Sequence, residues 1–448
     1  MELELLGIST WRWDFDGWIV AAGILCAVAA ALLGNFLVLR RMSMLGDAIS
    51  HAVLPGLAAA FIYTSSRNSL PMFLGAAAVG ILTAFFTEWI RGVGKVDEGA
   101  SMGVVFTSLF ALGLVMIVQA ADHVDLDPDC VLYGSPEYTP MNTVFLAGWE
   151  VPISVITLGI VATVNAAFVI FFYKELKFSS FDPSLSTTTG FSATLMHYML
   201  VVLVAVTAVA SFESVGNILV VAMFVVPPAT AYLLTDRLAV MILLSLVLAC
   251  VSAVLGHLGA IAVPRWFGFA SSLPTAGMMA VSTGLIFSLT VAFSPKQGVL
   301  VKFVRRRILA WSTLADDIVG VLYRREERSK DSRATREILR SLLLADAFSL
   351  RMVLRWLRFR GELIRHGERY ELTQQGRARA QDLVRSHRLW EQYLVSQAGL
   401  DEDRIHDKAE KWEHVTDLEL RRRLRDETNA PRIDPHGTPI PDERAEAE

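Results

Sequence analysis

The chain has 448 residues, 53% hydrophobic and 19% charged, with a formal net charge of -4. The charge is unevenly placed: residues 1–295 hold only 10 of the 41 Lys+Arg and 18 of the 45 Asp+Glu, so a single soluble globular domain is excluded. The three cysteines, Cys26, Cys130 and Cys250, two of them inside apolar runs, exclude a disulfide framework and a Cys-rich zinc site.

Apolar runs near 17–39, 48–64, 71–90, 101–121, 151–173, 190–210, 215–235, 238–262 and 274–293 each approach the roughly 20 residues needed to cross a bilayer. The second is short and contains Pro55-Gly56, so an all-α polytopic membrane domain of about eight or nine helices is expected over 1–295. Arg40, Arg41, Arg91, Lys95, Lys174, Lys177 and Arg237 fall in alternate loops, and Lys296, Lys302 and Arg305–Arg307 open the tail. Cytoplasmic loops accumulate Lys and Arg, which places the carboxyl terminus in the cytoplasm and the acidic amino terminus outside. The amino terminus lacks the pattern of a cleavable signal peptide, so the first span is expected to anchor itself.

Asp47, just before the second run, and His51, within it, are four residues apart and share one helix face, where they can converge on a divalent cation. The other reading is a hydrogen-bonded pair that staples two helices. Imidazole favours zinc, manganese or iron over magnesium and calcium without separating these metals from one another. The loop with Asp122, His123, Asp125, Asp127 and Asp129 either attracts cations or is plain acidic surface. His197, His257 and Glu213 have no ligand spacing and are expected to be structural.

Between the fifth and sixth runs, Asp182 followed by Pro183 reads as an N-cap with proline at the first helical position, directly after Phe181. The short helix it opens either docks on a partner or is an ordinary capped connector. GVGKVD at 92–97 lacks the spacing of a phosphate-binding loop, so the chain has no ATPase site of that kind and is no enzyme by that route. That leaves a channel, an ion-driven carrier, or the membrane half of a transporter whose ATPase is another polypeptide. The absence of further carboxylates arranged as a proton relay disfavours the carrier.

Residues 296–313 read as a basic cytoplasmic linker. The segment 314–327 has helical periodicity, 333–358 reads as two more helices, and GERYELTQQG at 367–376 alternates like a hairpin, together a small α+β winged-helix-like domain over 314–380. Arg351, Arg355 and Arg358 on its second helix then meet DNA phosphates or bases, or form a solvated face. The segment ADAFSLRMVLRWLRFRG shows no glycine at which the helix pair would turn. Residues 381–448 form a further, helical unit.

Five blocks, RRMSMLGDAISHAVLPG, EGASMGVVFTSLFALG, HVDLD, FDPSL and ESVGNILVVAMFVVPPATAYLLTDRL, occur in order within 17–295. In these the chain resembles the zinc, manganese and iron permeases of ATP-driven bacterial importers. The resemblance implies two permease copies, or a related second permease, around one pore in the plasma membrane. It also implies a separate ATPase subunit, an extracytoplasmic metal-binding protein, Asp47 and His51 on the cation path, and the helix after Asp182 as the coupling helix.

The segments RSHRLWEQYLVSQAGLDEDRIHDKAEKWEHVTDLELRRRL and DPHGTPIP resemble the metal-dependent repressors of the diphtheria toxin repressor type, over about 314–445. That resemblance implies His387, Glu391, His406, Glu410, Glu413 and His414 as metal ligands. Glu410, Glu413 and His414, at i, i+3 and i+4, are expected to face one cation, and a carboxylate at 410 is similar to the manganese-sensing branch. The first helix offers only Asp317, with Asp316 beside it, and Gly320 stands where a second ligand is expected. The leading expectation is a metal importer permease with a metal-responsive tail. The alternative is a membrane-anchored DNA-binding regulator whose permease part serves as receptor.

Overall fold

The computed structural model describes residues 11–42, 44–64, 69–120, 136–146, 148–268, 273–328, 333–401 and 405–442. The chain divides into two compact units, Met1–Val301 and Lys302–Glu448. Among the described residues, nine helices are long and apolar enough to cross a membrane, the upper figure of the expected count.

In the first unit these helices are α1 (Trp13–Leu39), α2 (Leu45–Ala52) with α3 (Leu54–Thr64), α4 (Ser69–Gly94), α5 (Glu98–Ala120) and α6 (Ile153–Phe171). Two short helices follow, α7 (Tyr173–Phe181) and α8 (Pro183–Thr188), and then α9 (Ala193–Val215), α10 (Asn217–Leu234), α11 (Leu238–Trp266) and α12 (Thr275–Phe293). A short antiparallel hairpin, β1 (Thr143–Leu146) and β2 (Trp149–Pro152), precedes α6.

The second span is broken, as Pro55 led us to expect: Pro55 has no N–H to continue the ladder, and α2 ends at Ala52 before α3 begins at Leu54. Lipid supplies no hydrophobic drive between helices, so close packing of small residues holds the bundle. A Cβ added at Gly34 of α1 would collide with the Phe224 carbonyl of α10, and the backbones of Gly56 and Gly75 cross without side chains between them. The Met279 side chain of α12 lies across Gly23 of α1 and Gly256 of α11.

The second unit contains most of α13 (Val299–Arg328), followed by β3 (Ala334–Thr335), α14 (Arg336–Leu343), α15 (Ala347–Phe359), β4 (Leu363–His366), β5 (Arg369–Leu372), α16 (Gln374–Ser396), α17 (His406–Glu413) and α18 (Leu418–Glu427). Its three strands pair antiparallel in the order β3-β5-β4. Ile318, Val319 and Leu322 of α13 join Leu339, Leu350, Val353 and Leu357 in one buried core. Most of the 296–313 stretch expected as a linker is helical, because α13 starts at Val299. The helix pair turns at Leu344, which takes φ 49 and ψ 28, so a leucine occupies the left-handed position usually given to glycine.

Gly34→Val forces a side chain into the Phe224 backbone and is expected to cost about 1–3 kcal/mol of overpacking. The folded fraction surviving a heat ramp in detergent measures it, with Gly284→Ala, which meets nothing within 4 Å, as the harmless control.

Candidate metal centres and coupling element

Asp47 and His51 sit on successive turns of α2, with His51 Nε2 3.4 Å from Asp47 Oδ1; the His51 side chain is 30% exposed and that of Asp47 41%. The amide of Asn217 lies 3.5 Å from His51 Nε2. Phe106 and Phe110 of α5 flank the imidazole at 5.9 and 6.1 Å between ring centres. Asn217 is itself only 5% exposed, so a polar pair with access to solvent is backed by a buried amide and two aromatic rings. Gly216, at φ 87 and ψ 160, breaks α9 from α10 and sets Asn217 at the head of the new helix. Sequence reasoning missed Asn217, since nothing in the spacing links residue 217 to residue 51.

The histidines without ligand spacing are tied to carboxylates on other helices. His257 Nε2 is 3.1 Å from Asp16 and its Nδ1 is 3.4 Å from the Thr275 hydroxyl; His197 is 3.0 Å from Glu88. Asp122, His123, Asp125 and Asp127 lie outside the described residues.

Asp182 caps α8 as its sequence suggests: its carboxylate accepts from the Leu185 N–H at 2.9 Å and from the Ser184 hydroxyl at 2.6 Å, with Pro183 at the first helical position. The Ser184 bond and then the Leu185 bond hold that carboxyl below its usual range. Phe181, just before it, is 62% exposed.

Two groups converge in the second unit. His387 and Glu391 of α16 meet His406 at the start of α17: His387 Nε2 lies 3.0 Å from Glu391 Oε1 and 3.1 Å from His406 Nδ1, and His406 Nδ1 is 3.0 Å from the same carboxylate oxygen. Asp317 of α13 meets Glu413 and His414, with His414 Nε2 3.4 Å from Asp317 and 3.9 Å from Glu413. In each group the donor atoms lie within 4.8 Å of one another, a spread that a single divalent cation can draw together. His387 Nδ1 sits 2.5 Å from Glu413 Oε2, so one hydrogen bond links the two groups.

Asp316 also reaches His414, at 3.3 Å, and His436 approaches Glu391 at 3.7 Å. His436 lies in DPHG, beyond any helical repeat that would have marked it. Glu410 is exposed and borders, with Asp317, Gly320 and Glu413, a cavity of about 260 Å³ beside the group that Asp317, Glu413 and His414 form. Arg351, Arg355 and Arg358 are exposed along one side of α15, while Leu350, Val353, Leu354 and Leu357 face the core.

Burial raises the Glu391 carboxyl, but the His387 hydrogen bond and charge outweigh it and bring it down to about 2. Burial lowers His387 and His414, yet Glu391 and Glu413 for the first, and Asp316 and Asp317 for the second, hold both above the usual imidazole range. Burial pushes Asp317 up to about 6, against the charge of His414.

Nine apolar helices, with a carboxylate–imidazole pair in a broken span, define a multi-pass membrane permease carrying a second, metal-ligand-rich unit. Residues 14–294 match the ABC 3 transport family, and the chain belongs to it. Residues 373–442 match the iron dependent repressor, metal binding and dimerisation domain. The manganese transport system membrane protein MntD of Bacillus subtilis (strain 168) is 43% identical over 65% of this chain and 96% of its own length. The zinc transport system membrane protein TroD of Treponema pallidum (strain Nichols) is 36% identical over 81% of this chain and 97% of its own. Among solved structures, PsaBC from Streptococcus pneumoniae in complex with Fab is 29% identical, with a TM-score of 0.53 over 66% of this chain and 98% of that one.

Linkage fixes the pH behaviour of the metal-free second unit. Glu391, held low, stabilises the fold above about 4.5, and that contribution is lost as pH falls toward 2. His387 and His414, held high, stabilise it below about 6.5 and lose that contribution as pH rises through their raised values. Asp317, raised to about 6, costs stability above that pH and is relieved as pH falls through it. Asp317→Asn is therefore expected to stabilise the metal-free protein by about 1–3 kcal/mol at pH 7.5 and by roughly half as much at pH 5. Thermal unfolding of the chelator-treated chain at the two pH values checks this, and added manganese should reverse the order.

Proposed function

We propose that this chain is the permease subunit of an ATP-driven importer of a divalent transition metal (manganese, zinc or iron) in the bacterial plasma membrane. The observation that carries the reading is the Asp47–His51 pair, 3.4 Å apart on a half-length helix and open on one side. A cation leaving water needs oxygen or nitrogen ligands, but a transit site must also release it, and one carboxylate with one imidazole meets both demands. ATP is hydrolysed by a separate ATPase subunit that docks on Phe181, Asp182, Pro183 and the rest of α8. Metal arrives from an extracytoplasmic binding protein, and the loop with Asp122, His123, Asp125 and Asp127 attracts the cation, chiefly through its aspartate charges. A second permease, identical or related, completes the pore. The amino terminus lies outside and the carboxyl terminus in the cytoplasm, a reading the Lys and Arg distribution supports.

Residues 1–295 form the permease, 296–313 connect it, 314–380 form a winged-helix-like unit and 381–448 a metal-binding and dimerisation unit. Asp317, His387, Glu391, His406, Glu410, Glu413 and His414 bind regulatory metal, which cross-links α13, α16 and α17 when bound. The exposed Arg351, Arg355 and Arg358 favour one further reading, in which this unit contacts DNA and the permease acts as its receptor.

The test is uptake of radioactive manganese, zinc and ferrous iron into proteoliposomes holding the chain, its ATPase and its binding protein. Asp47→Ala/His51→Ala should lower uptake at least about 100-fold, the loss of both ligands at roughly tenfold each or more. Uptake unchanged by that substitution removes the pore assignment, and none of the three metals moved by an assembled, ATP-hydrolysing complex favours the receptor reading. Glu410→Ala/His414→Ala should abolish the response to cytoplasmic metal while leaving uptake at saturating metal intact.

A further inference from the structure

The connection between α1 and α2 is short and closed. At the end of α1 the N–H of Arg40 bonds to Phe36, that of Arg41 to Val38 and that of Met42 to Leu37; Arg41 takes φ 62 in the left-handed region. Met42 is 4% exposed within the core of the first unit, and its carbonyl accepts from the N–H of Leu45, the first residue of α2. The Arg40–Met42 turn is thus closed by backbone hydrogen bonds, and Met42 is itself tied to the first residue of α2.

At that same turn the half-buried Arg40 reaches across to α7. Its Nη2 donates to the Ser179 hydroxyl at 2.7 Å and its Nε donates to the Ser180 hydroxyl at 3.0 Å. Ser179 and Ser180 occupy the last turn of α7, immediately before Phe181 and the capping Asp182 of α8. Burial pulls the guanidinium down to about 10, so it remains charged at neutral pH. Among the described residues no carboxylate forms an ion pair with it. A buried cation held by two neutral hydroxyls is a costly way to fasten two helices, since an uncharged side chain would do so without the desolvation. What the fork supplies instead is direction, two donors in one plane that fix where the end of α7 sits. A cavity of about 490 Å³, bordered by Arg40, Ser179, Ser180, Pro183, Glu88 and His197, leaves room beside the contact for it to shift.

We infer that Arg40 is the positioning residue that transmits movement of α7 and α8 to the cation pair on α2. This rests on the reading of the chain as an ATP-driven importer. In it, displacement of α8 by the ATPase draws Ser179 and Ser180, these draw Arg40, and the closed Arg40–Met42 turn rotates α2 with Asp47 and His51. The bond is a hydrogen-bonded clasp, with no covalent step and no contact to metal.

The test measures manganese moved per ATP hydrolysed, in proteoliposomes of the full chain with its ATPase and binding protein. Arg40→Gln should lower that ratio about five- to 150-fold, the range typical of a coupling between two sites, while ATP hydrolysis and complex assembly persist. Ser179→Ala/Ser180→Ala keeps the arginine and should reproduce the effect, the combined variant should be no worse than either, and Arg40→Lys should recover part of it. A normal ratio in the serine pair overturns the clasp, as does a loss of uptake, hydrolysis and assembly in parallel, which marks Arg40 as a simple staple. If Arg40→Gln fails to assemble, the serine pair decides alone. A wild-type complex that moves no metal overturns the importer reading itself, whereas normal wild-type transport with a normal Arg40→Gln ratio overturns only the clasp.

Discussion

An ionisable group in a bilayer costs roughly 3 kcal/mol on insertion scales unless it finds a partner or faces a polar path, and the organisation of the membrane unit follows from how each such group is placed. Asp16 is matched by His257 and Glu88 by His197, each at about 3 Å and each between different helices. These pairs satisfy themselves. Asp47 and His51 do not close in the same way: they share one helix, stand 3.4 Å apart and stay partly open. The difference between a pair that joins two helices and a pair that stays partly open on one helix is what supports the proposal of Asp47 and His51 as a transit site.

The second unit solves the opposite problem, gathering several carboxylates close together in a protein interior. Asp316, Asp317, Glu391 and Glu413 are interleaved with His387, His406 and His414, so most carboxylates have an imidazole within 4 Å. Asp317 is the imperfectly compensated member, which is why its carboxyl is raised to about 6. A divalent cation bound as proposed would remove that imbalance and unite α13, α16 and α17, so metal occupancy and the packing of this unit are expected to be linked thermodynamically.

Much of this was legible in the sequence because it is written in local patterns. The spans follow from apolar length, the break in the second from Pro55, the α8 cap from Asp182-Pro183, and the histidines and carboxylates that gather on α16 and α17 from a resemblance carried by contiguous residues. The rest depends on contacts between distant segments. Asn217 reaches His51 only because Gly216 turns the chain, and Arg40 meets Ser179 and Ser180 from 139 and 140 residues away. The α14–α15 turn escaped because Leu344, rather than glycine, adopts the left-handed conformation. The helical spacing places Glu410 and Glu413 at one cavity, but only the fold brings Asp317 from another helix to its edge.

The seam where Met279 lies across Gly23 and Gly256 limits how this protein can diverge. Three helices meet there with no volume to spare: a larger residue at Gly23 meets the Met279 side chain and requires a compensating loss at residue 279, whereas one at Gly256 meets the Met279 backbone, which no change of that side chain relieves. The lipid-facing sides of α11 and α12 carry no such restriction. Drift in the membrane unit is therefore channelled outward, and relatives with quite different exteriors can keep the same interior crossing.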